Sequence, residues 1–202
     1  ARLAVLLLGA IGGRIGHNPT SVSRGNNHPT TFWFLASDFL PEMSESPAIR
    51  DEAPNFRATL ADGDVSAFEL DDVVGDGPIV LAFFPGAFTP PCSSEMNGLQ
   101  EHLADFEAAG ATVYGVSADS ALSQNAFREK QGVEFSLLSD MARSAIDKYG
   151  VEIDIDGLGL IGVANRSVFI VDKHGKIAYT WIADDPTNQP DYEEILDELE
   201  DL

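Results

Sequence analysis

From residue 50 onward the apolar positions fall into two kinds of run, and the two kinds alternate. Pro78-Ile79-Val80-Leu81-Ala82-Phe83-Phe84 is continuously apolar, the pattern of a central strand buried on both faces. Residues 92 to about 109 instead place Met96, Leu99, Leu103 and Phe106 on one stripe at helical spacing, and Gly110 marks the stop. Residues 111–117 then read as a second buried strand, 119–131 as a helix, 135–138 as a short strand and 142–149 as a helix ended by Gly150. Ser167–Val171 is a third apolar strand, turned by Asp172-Lys173-His174-Gly175-Lys176 into residues 177–181. Ahead of all these, residues 55–60 and 65–70 flank Ala61-Asp62-Gly63-Asp64, a hairpin turn. An acidic helix over residues 192–199 closes the chain.

The predicted order is a β-hairpin, then βαβαβα, then a second hairpin and a last helix. Strands alternating with helices imply an α/β domain with a mainly parallel central sheet flanked by helices. An early βαβ unit followed by a late antiparallel hairpin and helix is the order of the thioredoxin fold, here with an added N-terminal β-hairpin. No internal repeat and no linker between folded units is visible.

Charge divides the chain. The 202 residues hold 33 acids against 12 bases, a formal net charge of −21. Residues 1–42 carry three arginines and two acids, a net of +1, so the remaining residues carry −22. The early segment has a short apolar run, residues 4–11, too short to span a bilayer, then a Gly/Asn/Ser/Thr/Pro stretch without periodicity. A signal peptide, a disordered tail and upstream sequence translated from a misplaced start compete for it. The last fits best, because Met43-Ser44-Glu45-Ser46 looks like an acidic N-terminus. The expected organisation is a non-domain extension, 1–42, and one folded domain, 43–202. A surface this negative repels phosphates and anionic lipid, which excludes nucleic acid and membrane as partners. With only four lysines, Lys130, Lys148, Lys173 and Lys176, the composition resembles proteins of salt-loving organisms.

Cys92 is the only cysteine, and His17, His28, His102 and His174 show no ligand spacing. No intrachain disulfide, metal site or cofactor is expected, and a reducing cytoplasm is the default compartment. Cys92 falls in the first turn of a helix, at the C-terminal end of a central strand, where open α/β sheets place ligands. A helix N-terminus offers unpaired N–H groups and partial positive charge, both favourable to a thiolate.

Around it, Pro85-x-x-x-Thr89-x-x-Cys92 is similar to the active-site signature of the peroxiredoxins, the alkyl hydroperoxide reductase/thiol-specific antioxidant family. Arg166-Ser167-Val168-Phe169-Ile170 resembles their second signature, and Glu95 also matches. The resemblance runs from about residue 49 to residue 199. It implies a thiol-dependent peroxidase acting on hydrogen peroxide and organic hydroperoxides. Cys92 would be the nucleophile that becomes a sulfenic acid, and Thr89 with nearby backbone N–H groups would hold the peroxide oxygens. Arg166 would stabilise the thiolate and the developing charge, Pro85 would shield the pocket, and Glu95 would orient an arginine.

A magnitude shows why the neighbours matter. Lowering a thiol pKa from about 8.5 to about 6 raises the thiolate at pH 7 from roughly 3% to roughly 90%. Nucleophilicity falls at a Brønsted slope of about 0.4–0.5, which takes back about tenfold. Positioning and transition-state stabilisation must supply most of the rate.

Many peroxiredoxins carry a resolving cysteine; here Asn97 stands at one such position. The chain thus resembles the one-cysteine type, nearest the alkyl hydroperoxide reductase E class, with recycling by an external thiol and a homodimer implied. A peroxide sensor or redox-controlled chaperone, and a binding module without turnover, are alternatives on the same fold. His102, His174 and Trp181 read as structural.

Overall fold

The computed structural model describes residues 45–202. The expectation for residues 1–42 lies outside the described residues. Fourteen elements follow in chain order: β1 (Arg57–Ala61), β2 (Val65–Glu69), β3 (Ile79–Phe83), α1 (Pro90–Glu101), α2 (Leu103–Ala108), β4 (Thr112–Ser117), α3 (Ala121–Gln131), β5 (Ser136–Ser139), α4 (Ser144–Lys148), β6 (Glu152–Ile155), β7 (Leu160–Ala164), β8 (Ser167–Val171), β9 (Ile177–Ile182) and α5 (Tyr192–Glu200). Seven strands form one sheet in the order β2-β1-β5-β4-β3-β8-β9.

Every residue of β3 and β8 is buried, as their continuous apolar runs require, because both faces of the sheet are covered. Val80, Ala82 and Phe84 pack with Met96, Leu99 and Phe106 on one face. Ile79, Leu81 and Phe83 pack with Ile146, Tyr149 and Phe169 on the other. Gly115 in β4 is needed for this contact: a Cβ there would lie 2.5 Å from Leu137 and 3.3 Å from the Met96 sulfur. Its missing side chain lets α1 settle onto the sheet.

Three expectations are corrected. Parallel pairing is confined to β3–β4 and β4–β5; β1, β8 and β9 join antiparallel, so the sheet is mixed. The reason lies in the connections: only crossovers through helices make parallel neighbours, and the chain has hairpins on both sides of them. The thioredoxin arrangement itself stands.

The single helix predicted over residues 92–109 is two. At His102 the backbone leaves helical geometry (φ −100°, ψ 4°). The His102 ring Nδ1 contacts the Gly98 carbonyl at 2.9 Å, sharing it with the His102 amide, and the ring stacks on Tyr192. Finally, β6 and β7 form an unanticipated two-stranded antiparallel sheet. Its tip is a 3-10 turn at Asp156–Leu158.

Candidate active site

The site forms where two antiparallel neighbours end. β3 runs toward the Cys92 loop and β8 runs away from Arg166, with Phe83 paired to Ser167. That register puts Arg166, one residue before β8, beside the point where the chain leaves β3. The loop 84–89 then turns into α1. Pro85 is buried, and Phe88 adopts a left-handed conformation (φ 65°) with its ring edge-on to Phe127. Thr89 is the N-cap, extended at φ −75° and ψ 145°.

Pro90 and Pro91 occupy the first two helical positions, where a missing N–H costs least. Their consequence tempers the expectation of several free amides at this helix start. Of the first three residues of α1, only Cys92 has an N–H, and the Ser93 amide already donates to the Thr89 carbonyl at 2.9 Å.

Cys92 is 1% exposed. Arg166, fully buried, donates from Nη2 to its Sγ at 3.5 Å. Nη1 of the same guanidinium pairs with Glu95 Oε2, and Nε donates to the Pro186 carbonyl at 3.0 Å. One cation thus faces a sulfur, a carboxyl group and a carbonyl. Glu95 sits one helical turn after Cys92 and is also fully buried. Among the described residues its Oε1 has no hydrogen-bond partner. Burial pushes the Glu95 carboxyl up to about 8, against the opposing pull of Arg166. An anion with one oxygen unsolvated explains why burial wins.

The Thr89 hydroxyl makes no hydrogen bond to Sγ. It donates to the Gly86 carbonyl at 3.1 Å, which leaves its lone pairs as the free face. Cys92, Arg166 and Glu95 therefore form one contiguous group. Thr89 and Pro85 flank it on the loop.

The sequence reading missed the segment after β9. Besides Pro186, Gln189 donates to the Pro91 carbonyl at 3.1 Å, and the Tyr192 hydroxyl donates to the Glu95 carbonyl at 3.4 Å. Gly98 makes room for that ring; a Cβ there would come within 2.4 Å of it. Polar residues in a loop between two elements carry no sign of these contacts, since the acceptors are backbone carbonyls. His174 lies exposed in the β8–β9 turn and Trp181 is half-buried in β9. No helix among the described residues is long and apolar enough to cross a membrane.

Residues 49–180 match the model of the AhpC/TSA family. The chain belongs to that family. It is 40% identical over 129 residues to a Mycobacterium tuberculosis protein named as a peroxiredoxin, covering 63% of this chain and 80% of that one. To peroxiredoxin Q of Oryza sativa subsp. japonica it is 34% identical, covering 64% of this chain and 56% of the plant protein. The crystal structure of Enterococcus faecalis AhpC superposes with a TM-score of 0.68 at 27% identity, over 77% of this chain and 92% of that one. An AhpC/TSA protein with these relatives is a thiol-dependent peroxidase.

Proposed function

We propose that Cys92 is the peroxidatic nucleophile and that Arg166, Thr89, Pro85 and Glu95 serve it. The supporting observation is the contact of the buried Arg166 guanidinium with the Cys92 sulfur at 3.5 Å. The Sγ thiolate attacks the oxygen of a hydroperoxide that bears the hydrogen. A sulfur–oxygen bond forms, the O–O bond breaks, and the leaving alkoxide or hydroxide takes a proton from solvent. Arg166 holds the sulfur's negative charge and the charge that builds on the oxygens, in a site shielded from water. Thr89 presents an oxygen to the peroxide. Pro85, buried, excludes water, and Glu95 orients the guanidinium from the side away from the sulfur.

The product is a cysteine sulfenic acid. With no second cysteine in the chain, one external thiol condenses with it, releasing water. A second thiol then frees Cys92 and leaves with the first as a disulfide. The reductant is a thioredoxin-like protein or a small thiol, the working unit a homodimer and the compartment the cytoplasm. The acidic surface with few lysines suits a high-salt interior.

Stopped-flow oxidation of the reduced protein by hydrogen peroxide tests the reading. The expected result is a single second-order phase, absent in Cys92→Ser, and continued turnover when a thiol is supplied. A protein that oxidises once and stalls with every thiol supplied is a sensor, and one that never reacts is a binding module.

A further inference from the structure

The loop before Cys92 is held from the turn after β4 by a carboxylate that the proposed mechanism does not use. β4 ends at Ser117, and the turn after it brings Asp119 against the loop. Asp119 Oδ2 accepts the Ala87 amide at 2.8 Å and the Ser117 hydroxyl at 2.9 Å. The turn is itself fixed: Ser139 donates to the Asp119 carbonyl at 2.6 Å, and Gln124 donates to the Ser117 hydroxyl at 3.0 Å. The Ala87 N–H and the Gly86 carbonyl belong to one peptide unit, and that carbonyl accepts the Thr89 hydroxyl at 3.1 Å. A peptide unit is planar, so holding its N–H end sets where its oxygen points. A charged acceptor on the N–H also polarises the unit and strengthens the oxygen as an acceptor.

We propose that Asp119 is a positioning residue for peroxide reduction. Through the Gly86–Ala87 peptide it commits the Thr89 hydroxyl hydrogen to Gly86, so that the Thr89 oxygen meets the substrate only as an acceptor. A hydroxyl can donate or accept, and a free one does either. With its hydrogen committed, Thr89 takes a hydrogen bond from the O–H of the hydroperoxide. The oxygen so held is the one that bonds to sulfur, and it keeps its hydrogen in the sulfenic acid. This inference rests on the role proposed for Thr89.

The test measures two rates for each variant: oxidation of Cys92 by hydrogen peroxide, and alkylation of Cys92 by iodoacetamide, which needs neither the hydroxyl nor the peptide. Asp119→Ala is expected to slow oxidation about tenfold, the loss of one hydrogen bond to a charged group, and to leave alkylation within about twofold. Asp119→Asn keeps an oxygen able to accept from both donors and is expected to restore oxidation. In a Thr89→Val background, Asp119→Ala is expected to cost nothing further. Should Asp119→Ala fail to fold, Asp119→Ser, whose shorter side chain falls short of Ala87, carries the same expectations. Parallel loss of alkylation, failure of Asn to restore the rate, or an equal loss in the Thr89→Val background overturns the inference. A Thr89→Val variant that oxidises at the parent rate overturns the role of Thr89 instead, and this inference with it.

Discussion

Arg166 places Nη2 3.5 Å from the sulfur of Cys92 although 74 positions separate them in the chain. The antiparallel register of β3 and β8 makes the meeting possible, since Phe83 opposite Ser167 aligns the end of one strand with the start of the other. The guanidinium is then aimed by the Pro186 carbonyl on Nε and by Glu95 on Nη1. Arg166→Ala is expected to slow peroxide oxidation of Cys92 more than tenfold, about the cost of one charge-stabilising donor or more. Arg166→Lys is expected to recover little, because a single ammonium cannot face three acceptors in one plane. Stopped-flow rates against peroxide concentration decide the matter; a lysine variant at the parent rate would mean that charge alone suffices.

Glu95 supplies a pH signature of stability. Its carboxyl sits near 8 in the folded protein against an ordinary value of 4.5. Between those values the native state keeps a proton that the unfolded chain has lost. Stability from this group is therefore present below about 4.5, declines as pH rises and levels off above about 8. Glu95→Gln removes the titration. Urea midpoints taken from pH 5 to 8 should fall more steeply for the parent than for the variant. Parallel curves would show Glu95 ionised throughout, with the ion pair to Arg166 prevailing over burial.

A sulfur 1% exposed cannot be reached by a protein or bulky thiol until the first turn of α1 opens. Gln189 ties that turn down through the Pro91 carbonyl, beside the bond from Gln131 to the Ser93 hydroxyl at 3.0 Å, and Pro90 and Pro91 have no amides of their own to add. Gln189→Ala is expected to speed reaction of Cys92 with a bulky thiol reagent severalfold, a net hydrogen bond of about 1 kcal/mol. Oxidation by hydrogen peroxide, a far smaller molecule, should change less. Equal acceleration of both reagents would place the barrier elsewhere than in the α1 turn.

The parts of this site differed in how far they could be read from the chain. β3 and β8 were legible because burial on both faces leaves an unbroken apolar run, and Cys92 because proline, threonine and cysteine stand in a spaced signature. Glu95 and Arg166 came from that resemblance and not from periodicity. The break at His102 was hidden: the stripe Met96, Leu99, Leu103, Phe106 continues through it, and the ring–Tyr192 stack depends on a residue 90 positions away. β6 and β7 were hidden for a different reason. β6 alternates acidic and apolar residues, Glu152-Ile153-Asp154-Ile155, and β7, though as long as β8, is broken by Gly162 in a left-handed conformation (φ 62°), so neither has the unbroken buried run of a central strand. Pro186 acts through its backbone carbonyl, which every residue has, and no pattern marks it.

Net charge makes the last prediction. With 33 acids and 12 bases, most carboxylates face no cation, and α5 concentrates the conflict. Asp191, Glu193 and Glu194 suit its N-terminus, where Asp191 caps two amides. Its last turn holds no base, and Glu198 and Glu200 stand there against the negative end of the helix dipole. Raising the salt from 0.1 to 1 M shortens the screening length from about 10 Å to about 3 Å, so the melting temperature should climb with KCl. Glu200→Lys should raise it by about 1–3 °C at low salt, and the gain should shrink as KCl is added. A parent protein whose melting temperature ignores KCl would mean that its carboxylates are spaced widely enough for water alone to relieve their repulsion.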